Sequence, residues 1–316
     1  MAVYTAVPAE ALKRFMAGFE TEEPYLCKGI AEGVENSNFL VFTASKRYVL
    51  TLYEKRVSAD DLPYFLDLIE HLAARGHPVP RAVPDRRGER VHVVEGRPAC
   101  LIEFLPGVSV TTPTAAQAYA AGEALGRMHA SLADFGGMRP NTLGVEAWRP
   151  LLERCGTRID EIAPALGERV SAALGRVEAA WPRGLARATI HADLFPDNVL
   201  MMGDAVTGLI DFYFACTELR AYDLAVMHSA WSFDGSGVRY DEAVGRAVVA
   251  GYDAAFPLSG DERAALSVLA RGASIRFLLT RAWDWLNTPA DALVTRKNPL
   301  AYLRRLERYE REDLFA

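Results

Sequence analysis

The sequence has few cysteines and no long apolar run. The 316 residues include four cysteines, and no two of them form a Cys-x-x-Cys pair. Cysteines scattered in this way suit neither a disulfide framework nor a metal site, so we expect buried free thiols. No run of about 18 apolar residues occurs, which argues against a membrane-spanning helix. The first residues also lack the basic start and apolar stretch of a secretion signal. We therefore expect a cytoplasmic chain without a membrane partner.

An excess of basic residues is missing as well. Lysine and arginine number 35 against 41 acidic residues, which gives a formal net charge of −6 at pH 7. A nucleic-acid-binding protein normally carries a basic excess, so we expect no nucleic-acid partner. Half of the residues are hydrophobic, as in ordinary globular proteins. The length suits two lobes better than a single core. No oligomeric state follows from these bulk properties.

The most informative stretch runs from His191 to Asn198 and is followed by an apolar segment that ends at Asp211. Residues 199–202 and 206–210 flank a Gly-Asp turn, which predicts a β-hairpin. This hairpin would bring Asn198 and Asp211 to the same end.

An Asp, an Asn five residues later and a second Asp after a strand form a pattern suited to phosphoryl transfer. In that reaction the first Asp meets the acceptor hydroxyl, while the Asn and the second Asp hold Mg²⁺ against the nucleotide phosphates. We therefore predict that Asp193, Asn198 and Asp211 are catalytic residues and that Asn198 and Asp211 are the metal ligands. For His191 we expect a structural role, in which it holds the loop by hydrogen bonds.

This loop resembles the catalytic loop of the aminoglycoside-phosphotransferase-like kinases, relatives of the protein kinases. Their usual His-Gly-Asp corresponds to His191-Ala192-Asp193. Within that family the sequence is most similar to the homoserine kinases of the phosphotransferase type. Besides the loop, the likeness is carried by residues 29–38, 50–56, 102–107 and 210–216. It implies an α+β, two-lobe, protein-kinase-like fold and the use of ATP and Mg²⁺ to phosphorylate L-homoserine, a reaction of threonine biosynthesis.

The pattern along the chain predicts the same two lobes. Residues 1–105 read as a small antiparallel-sheet lobe, with hairpins at 38–53 and 91–105 and one helix between Ser58 and Gly76. Residues 106–316 read as a larger, mainly helical lobe in which the catalytic hairpin is the only β element. Helical periodicity covers about 113–134, 146–178, 219–233, 240–255, 259–287 and 298–313. The mixed charges of residues 304–313 predict a solvated helix face.

The nucleotide is expected to bind in the first lobe. A phosphate-binding loop needs small residues, so that main-chain N–H groups can approach the anion. The candidate residues are Gly29, Gly33, Asn36, Ser37 and Asn38. The resemblance also implies that the main chain near Glu103 and Leu105, in the segment that should link the lobes, pairs with adenine. An exposed strand-end charge is the alternative interpretation of Glu103.

One position departs from the family pattern. Where these kinases usually carry a lysine that faces the phosphates, this sequence has Thr51. A threonine supplies no positive charge. This substitution is the only support for a nucleotide-binding pseudokinase, and the intact Asp193, Asn198 and Asp211 argue against it.

The acceptor should bind in the second lobe, near Asp193. Arg276, Arg281 and Trp283 lie within one predicted helix. Such a cluster suits a packed tryptophan covered by arginine stems, or an amino-acid pocket in which an arginine binds the carboxylate. A choline-like substrate would need an aromatic cage, for which Tyr213, Trp231 and Trp283 are available. An aminoglycoside would need many acids, and no dense acidic run occurs. A methylthioribose kinase is the remaining alternative.

Two further residues are interpreted as structural. His129 is expected to pack and hydrogen-bond inside the second lobe. Asp223 is expected to cap a helix N-terminus and to brace the catalytic loop.

Overall fold

The computed structural model describes residues 4–30, 36–54, 58–288 and 296–315. The described residues up to Pro106 form one compact unit, and those from Gly107 onward form a second. The first unit contains an antiparallel sheet and the second is mainly helical, as predicted.

The sheet of the first unit has the strand order β1-β2-β3-β5-β4, and every neighbouring pair is antiparallel. Its strands are β1 (Leu26–Gly29), β2 (Ser37–Phe42), β3 (Arg47–Leu52), β4 (His92–Val94) and β5 (Arg97–Glu103). Alternate residues of β2 are buried, because successive side chains of a strand point to opposite faces. The buried face packs on Leu12 and Met16 of helix α1 (Ala9–Met16). Both predicted hairpins are confirmed, whereas α1 was not predicted.

Helix α2 (Leu62–Ala73) completes the first unit. The Ser58 hydroxyl accepts a hydrogen bond from the Asp60 N–H and begins a short 3₁₀ turn that leads into the helix. Gly76 follows the helix with φ +80°, a conformation that glycine adopts without strain. The predicted helix between Ser58 and Gly76 is therefore confirmed.

The second unit is built mainly from helices. They are α3 (Ala115–Ser131), α4 (Val145–Cys155), α5 (Leu166–Ala180), α6 (Arg220–Trp231), α7 (Glu242–Ala255), α8 (Gly260–Asn287) and α9 (Leu300–Arg311). Capping boxes begin α3 and α8. All residues of α6 are buried. The helical stretch predicted over 146–178 is divided between α4 and α5, because Gly156, at φ +57°, ends α4 and Pro164 stands before α5.

The catalytic hairpin is confirmed as β7 (Val199–Met202) and β8 (Ala205–Leu209). It is not the only β element of this unit, so that expectation was wrong. A second antiparallel pair joins β6 (Arg187–Ile190) to β9 (Cys216–Leu219), with Ile190 opposite Cys216. The two strands hold both ends of the catalytic segment together.

The expectation of a solvated face over residues 304–313 is wrong in part. Arg305 is only 4% exposed, and Leu306 and Tyr309 are buried as well. The four cysteines are free thiols, three of them buried and Cys27 half-buried. Burial raises the pKa of Cys100 to about 11. Within the described ranges, no helix combines the length and the apolar character needed to cross a membrane.

Candidate active site

The predicted catalytic residues lie together at one end of the β7–β8 hairpin. The pairing of Val199 with Leu209 continues into the loop, where the Ile210 N–H donates to the Asn198 carbonyl at 3.0 Å. Asn198 and Asp211 therefore lie on adjacent segments at the end of the hairpin, as the hairpin prediction required.

Hydrogen bonds tie Asn198 to Asp193. The amide nitrogen of Asn198 donates to the Asp193 carbonyl at 2.8 Å and lies 3.4 Å from carboxylate Oδ2 of the same residue. Because the amide nitrogen is used in this way, the amide oxygen is the atom of Asn198 that can bind a metal. Asp211 has φ +65°, a strained conformation for a residue other than glycine. Such strain is often found at functional sites.

The carboxyl of Asp193 has an unusual electrostatic environment. Burial raises its pKa well above the ordinary value, and the neighbouring Asp211 raises it further. The positive charges of Arg276 and Lys297 oppose this rise. Asp197 also raises this pKa, so two other carboxylates and two cations lie within electrostatic range of Asp193 at the catalytic loop.

Asp223 braces the loop from inside the second unit. This residue is 0% exposed and accepts the main-chain N–H groups of His191 and Ala192, each at 2.7 Å. Its Oδ2 also contacts His129 Nε2 at 3.0 Å, and the other His129 nitrogen contacts Tyr252 at 2.9 Å. Burial acts to raise the pKa of Asp223, but His129 and His191 outweigh it and lower the pKa. The predicted bracing role is confirmed. The predicted capping role is wrong, because Asp223 lies in the first turn of α6 and caps nothing.

His191 has the structural role that was predicted. Its Nε2 lies 3.0 Å from the Ile210 carbonyl, to which it can only donate, and its Nδ1 accepts from the Asp193 N–H at 3.3 Å. A neutral ring with its proton on Nε2 satisfies both bonds. Burial lowers the pKa of His191, which favours this neutral form.

The predicted nucleotide residues lie in the first unit. Asn38 and Thr51 face each other on β2 and β3, and the buried Thr51 hydroxyl donates to Asn38 Oδ1 at 2.8 Å. Ser37 is buried, and its hydroxyl accepts the Tyr4 N–H at 2.8 Å and donates to a glutamate. Asn36 is also buried, and within the described part of the chain its side-chain oxygen has no hydrogen-bond partner.

The other candidates of the first unit are more exposed or undescribed. Gly29 is exposed at the end of β1, and Gly33 lies outside the described residues. Glu103 is exposed at the end of β5 and its N–H donates to the Arg81 carbonyl at 2.9 Å. The N–H of Glu103 is thus already used, and its carbonyl is the main-chain group of this residue that remains to accept a hydrogen bond from adenine. Leu105 follows and is half-buried.

The predicted acceptor residues on α8 separate into two groups. Arg276 is 2% exposed and donates to the carbonyl of Ala192, directly before Asp193. Arg281 is half-buried, and its guanidinium lies 4.5 Å from the centre of the Tyr302 ring. Trp283 lies elsewhere, because its ring packs under the Arg154 guanidinium at 4.1 Å.

Two contacts of residues outside the catalytic motif were not predicted from the sequence, in which Trp231 was considered only as part of a choline cage. The indole N–H of Trp231 donates to the Leu194 carbonyl at 2.9 Å, and the ring is almost fully buried. Arg305 lies over the Tyr302 ring at 4.2 Å. Neither residue stands in a motif, so no local signal pointed to these contacts.

The sheet of the first unit, the helices of the second and the Asp-Asn-Asp arrangement define a protein-kinase-like small-molecule phosphotransferase. The model of the phosphotransferase enzyme family matches residues 27–258, and the chain belongs to this family. A homoserine kinase of Xanthobacter autotrophicus is 50% identical to the chain over 313 residues, which cover 99% of the chain and 97% of that protein. A homoserine kinase of Zymomonas mobilis is 50% identical over 317 residues, covering 99% of the chain and 98% of that protein.

Solved structures agree at the level of the fold. A structure of an amicoumacin kinase in complex with AMP-PNP and Ca²⁺ superposes with a TM-score of 0.72 at 15% sequence identity. The match covers 95% of this chain and 93% of that kinase. The two-lobe, protein-kinase-like fold expected from the sequence is thereby confirmed.

Proposed function

We propose that this phosphotransferase is a homoserine kinase, which transfers the γ-phosphoryl group of ATP to the side-chain hydroxyl of L-homoserine. The observation that carries the proposal is 50% identity to proteins named homoserine kinase over 99% of the chain. The product, O-phospho-L-homoserine, would serve threonine biosynthesis.

Asp193 would orient the acceptor hydroxyl and accept its proton during transfer. The contact of Asn198 with Asp193 and the grip of Asp223 on His191 and Ala192 hold this carboxylate in place before substrate arrives. Such preorganisation is a large part of catalysis in phosphoryl transfer, because the protein contributes mainly positioning and charge.

The donor set at the end of the hairpin fits Mg²⁺. Asp211 supplies a carboxylate and Asn198 an amide oxygen, and both are hard oxygen ligands. In the described residues, no group of three or more His, Cys, Asp and Glu residues could hold a metal by itself. Mg²⁺ commonly takes one or two protein carboxylates and completes its shell with phosphate and water. When bound here, it would neutralise charge on the nucleotide phosphates.

The first unit would bind the nucleotide. Main-chain N–H groups near Gly29 and residues 36–38 would approach the phosphates, and the Glu103 carbonyl and the Leu105 N–H would pair with adenine. Thr51 contributes no charge and is hydrogen-bonded to Asn38. The phosphate charge is therefore assigned to the metal and to main-chain donors.

The amino-acid acceptor needs a cation for its carboxylate, and Arg276 and Arg281 are the candidates on α8. The choline alternative is less well supported, because Trp231 is buried against the loop and Trp283 covers Arg154. Both tryptophans of the supposed aromatic cage thus already have protein partners.

A coupled ADP-release assay over homoserine, homoserinol, choline, methylthioribose and an aminoglycoside tests the proposal. Homoserine should give the highest kcat/KM. Asp193→Asn should bind ATP as the wild type does, while its kcat falls by about 10² or more, because a transition-state interaction is lost. Higher turnover with choline or homoserinol would overturn the substrate assignment. No ATP-dependent turnover with any acceptor would favour the pseudokinase.

A further inference from the structure

The two α8 arginines near the catalytic loop differ in what they bind. The Arg276 guanidinium donates to the Ala192 carbonyl and lies 4.5 Å from the Phe277 ring centre. At 2% exposure it has almost no surface left for a ligand. Its contacts instead hold the peptide that leads into Asp193.

Arg281, five residues later, has no such partner. In the described part of the chain no carboxylate lies within 4.0 Å of its guanidinium, whose contact is the face of the Tyr302 ring. The side chain is only half-buried, so a ligand can reach it. Partly buried cations are normally paired, because desolvation of an unpaired charge is costly. An anion is therefore the missing partner.

A second positive charge lies beside this position. The buried Arg305 is over the same Tyr302 ring at 4.2 Å and donates to the Asp234 carbonyl at 2.9 Å. No carboxylate of the described residues lies within 4.0 Å of its guanidinium either. Two arginines without acidic partners on one aromatic ring produce a positive potential that favours an anion.

The aromatic contacts connect this position to the catalytic loop. Tyr302 stacks on Phe277 with ring centres 5.0 Å apart, and Phe277 meets the edge of Phe195 at 4.9 Å. Phe195 is two residues beyond Asp193. Burial lowers the pKa of Arg281, and the carboxylates of Asp193 and Asp197 counteract this effect, so its charge is within range of the loop.

We propose that Arg281 binds the carboxylate of the acceptor amino acid, while Arg276 is a positioning residue that holds the Ala192–Asp193 peptide. Arg305 supports Arg281 through its charge and its contact with Tyr302. This division of roles rests on the proposed function. The guanidinium of Arg281 can meet a carboxylate through two parallel N–H bonds, which the ammonium of lysine cannot reproduce.

Steady-state kinetics with homoserine and homoserinol separate the two roles, because homoserinol has a hydroxyl in place of the carboxylate. Arg281→Met should raise KM for homoserine about tenfold or more, a loss of about 1.4 kcal/mol. Its KM for ATP and its kcat/KM for homoserinol should stay near the wild-type values. Arg281→Lys should fall between Arg281→Met and the wild type. Arg271→Met is the matched control, because among the described residues this α8 arginine bonds only within its own helix, to the Ser267 carbonyl.

Arg276 variants should behave differently. Arg276→Lys should lower kcat for both acceptors by the same factor, because it disturbs Asp193 rather than a substrate contact. Arg276→Met should lower kcat further, since methionine cannot donate to the Ala192 carbonyl.

Three results would overturn the assignment while wild-type activity on homoserine upholds the proposed function. In the first, Arg281→Met loses equal kcat/KM with homoserine and homoserinol, and in the second it loses none with either acceptor. In the third, Arg281→Met changes KM for ATP, which would indicate a phosphate contact. If the wild type did not phosphorylate homoserine, the proposed function would be refuted, and with it the division of roles between Arg276 and Arg281.

Discussion

The substitution Asp223→Asn tests how the catalytic loop is held. The carboxylate of Asp223 is completely buried and accepts the N–H groups of both His191 and Ala192 at 2.7 Å. Asparagine has the same shape but only one oxygen, so its NH₂ group must face a donor. One main-chain N–H is then left without a partner, and the charge that strengthens the other bonds is lost.

The expected cost follows from these contacts. A hydrogen bond to a charged group contributes about 1.5–3 kcal/mol, and breaking a buried ionic arrangement costs about 3–5 kcal/mol. The upper range applies here, because two donors of the loop and His129 depend on one carboxylate. With an unfolding entropy of about 2.1 cal/mol/K per residue, about 1 kcal/mol shifts Tm by roughly 1.5 °C in a chain of 316 residues, so we expect a drop of roughly 5–8 °C. Displacement of Asp193 by about 1 Å would lower kcat by roughly 10².

Thermal unfolding and ADP-release kinetics measure these effects. Asp241→Asn is the matched control, since Asp241 is exposed and caps α7 by accepting the Val244 N–H at 3.1 Å. Asparagine caps a helix about as well as aspartate, so the control should keep both Tm and kcat. If Asp223→Asn also kept its Tm within about 2 °C and its kcat unchanged, the loop would not depend on this carboxylate.

Three further outcomes are expected. Asp211→Ala should weaken the apparent Mg²⁺ affinity more than Asn198→Ala in Mg²⁺ titrations of activity, because a carboxylate brings charge and an amide does not; equal effects would contradict the assignment. Gly107→Ala should lower Tm more than Gly88→Ala, since both glycines have positive φ but a Cβ at Gly107 would lie 2.3 Å from a threonine hydroxyl. Burial lowers the pKa of His228 to about 3. Below pH 6.5 this histidine therefore binds a proton in the unfolded chain but stays neutral in the folded chain. Stability should fall by about 1.4 kcal/mol per pH unit below 6.5 in urea titrations, and His228→Asn should remove this contribution.

The catalytic loop and its hairpin could be predicted from the sequence because their geometry depends on short spacing. Asn198 and Asp211 flank one hairpin, so alternation and a Gly-Asp turn suffice to place them together. Helix α2 was equally accessible, because Ser58 and Gly76 mark its ends and its apolar face repeats at helical spacing. These signals lie within about 20 residues of one another and need no tertiary contact.

Contacts between distant segments could not be predicted in this way. Strands β6 and β9 are four residues each and stabilise each other only as a pair, so neither is recognisable alone. Arg305 belongs to a helix whose charges indicate solvent exposure, yet packing against Tyr302 buries it. The separation of Trp283 from Arg281 depends on which face of α8 meets α4 and which meets α9. Charge and helical spacing alone do not decide these faces.

Ala192 connects the sequence pattern to this tertiary support. The family pattern usually has glycine at this position, and Ala192 has φ +63°, where glycine is unstrained and alanine is not. Strain of this kind costs about 1–3 kcal/mol and persists only when the surroundings enforce it. Here the N–H of Ala192 donates to the buried Asp223 and its carbonyl accepts from the buried Arg276. The Asp223 carboxylate thus holds the N–H of the strained residue, and the Arg276 guanidinium holds its carbonyl. Because the next residue is Asp193, the same two contacts that enforce the strained backbone also fix the direction of the catalytic carboxylate.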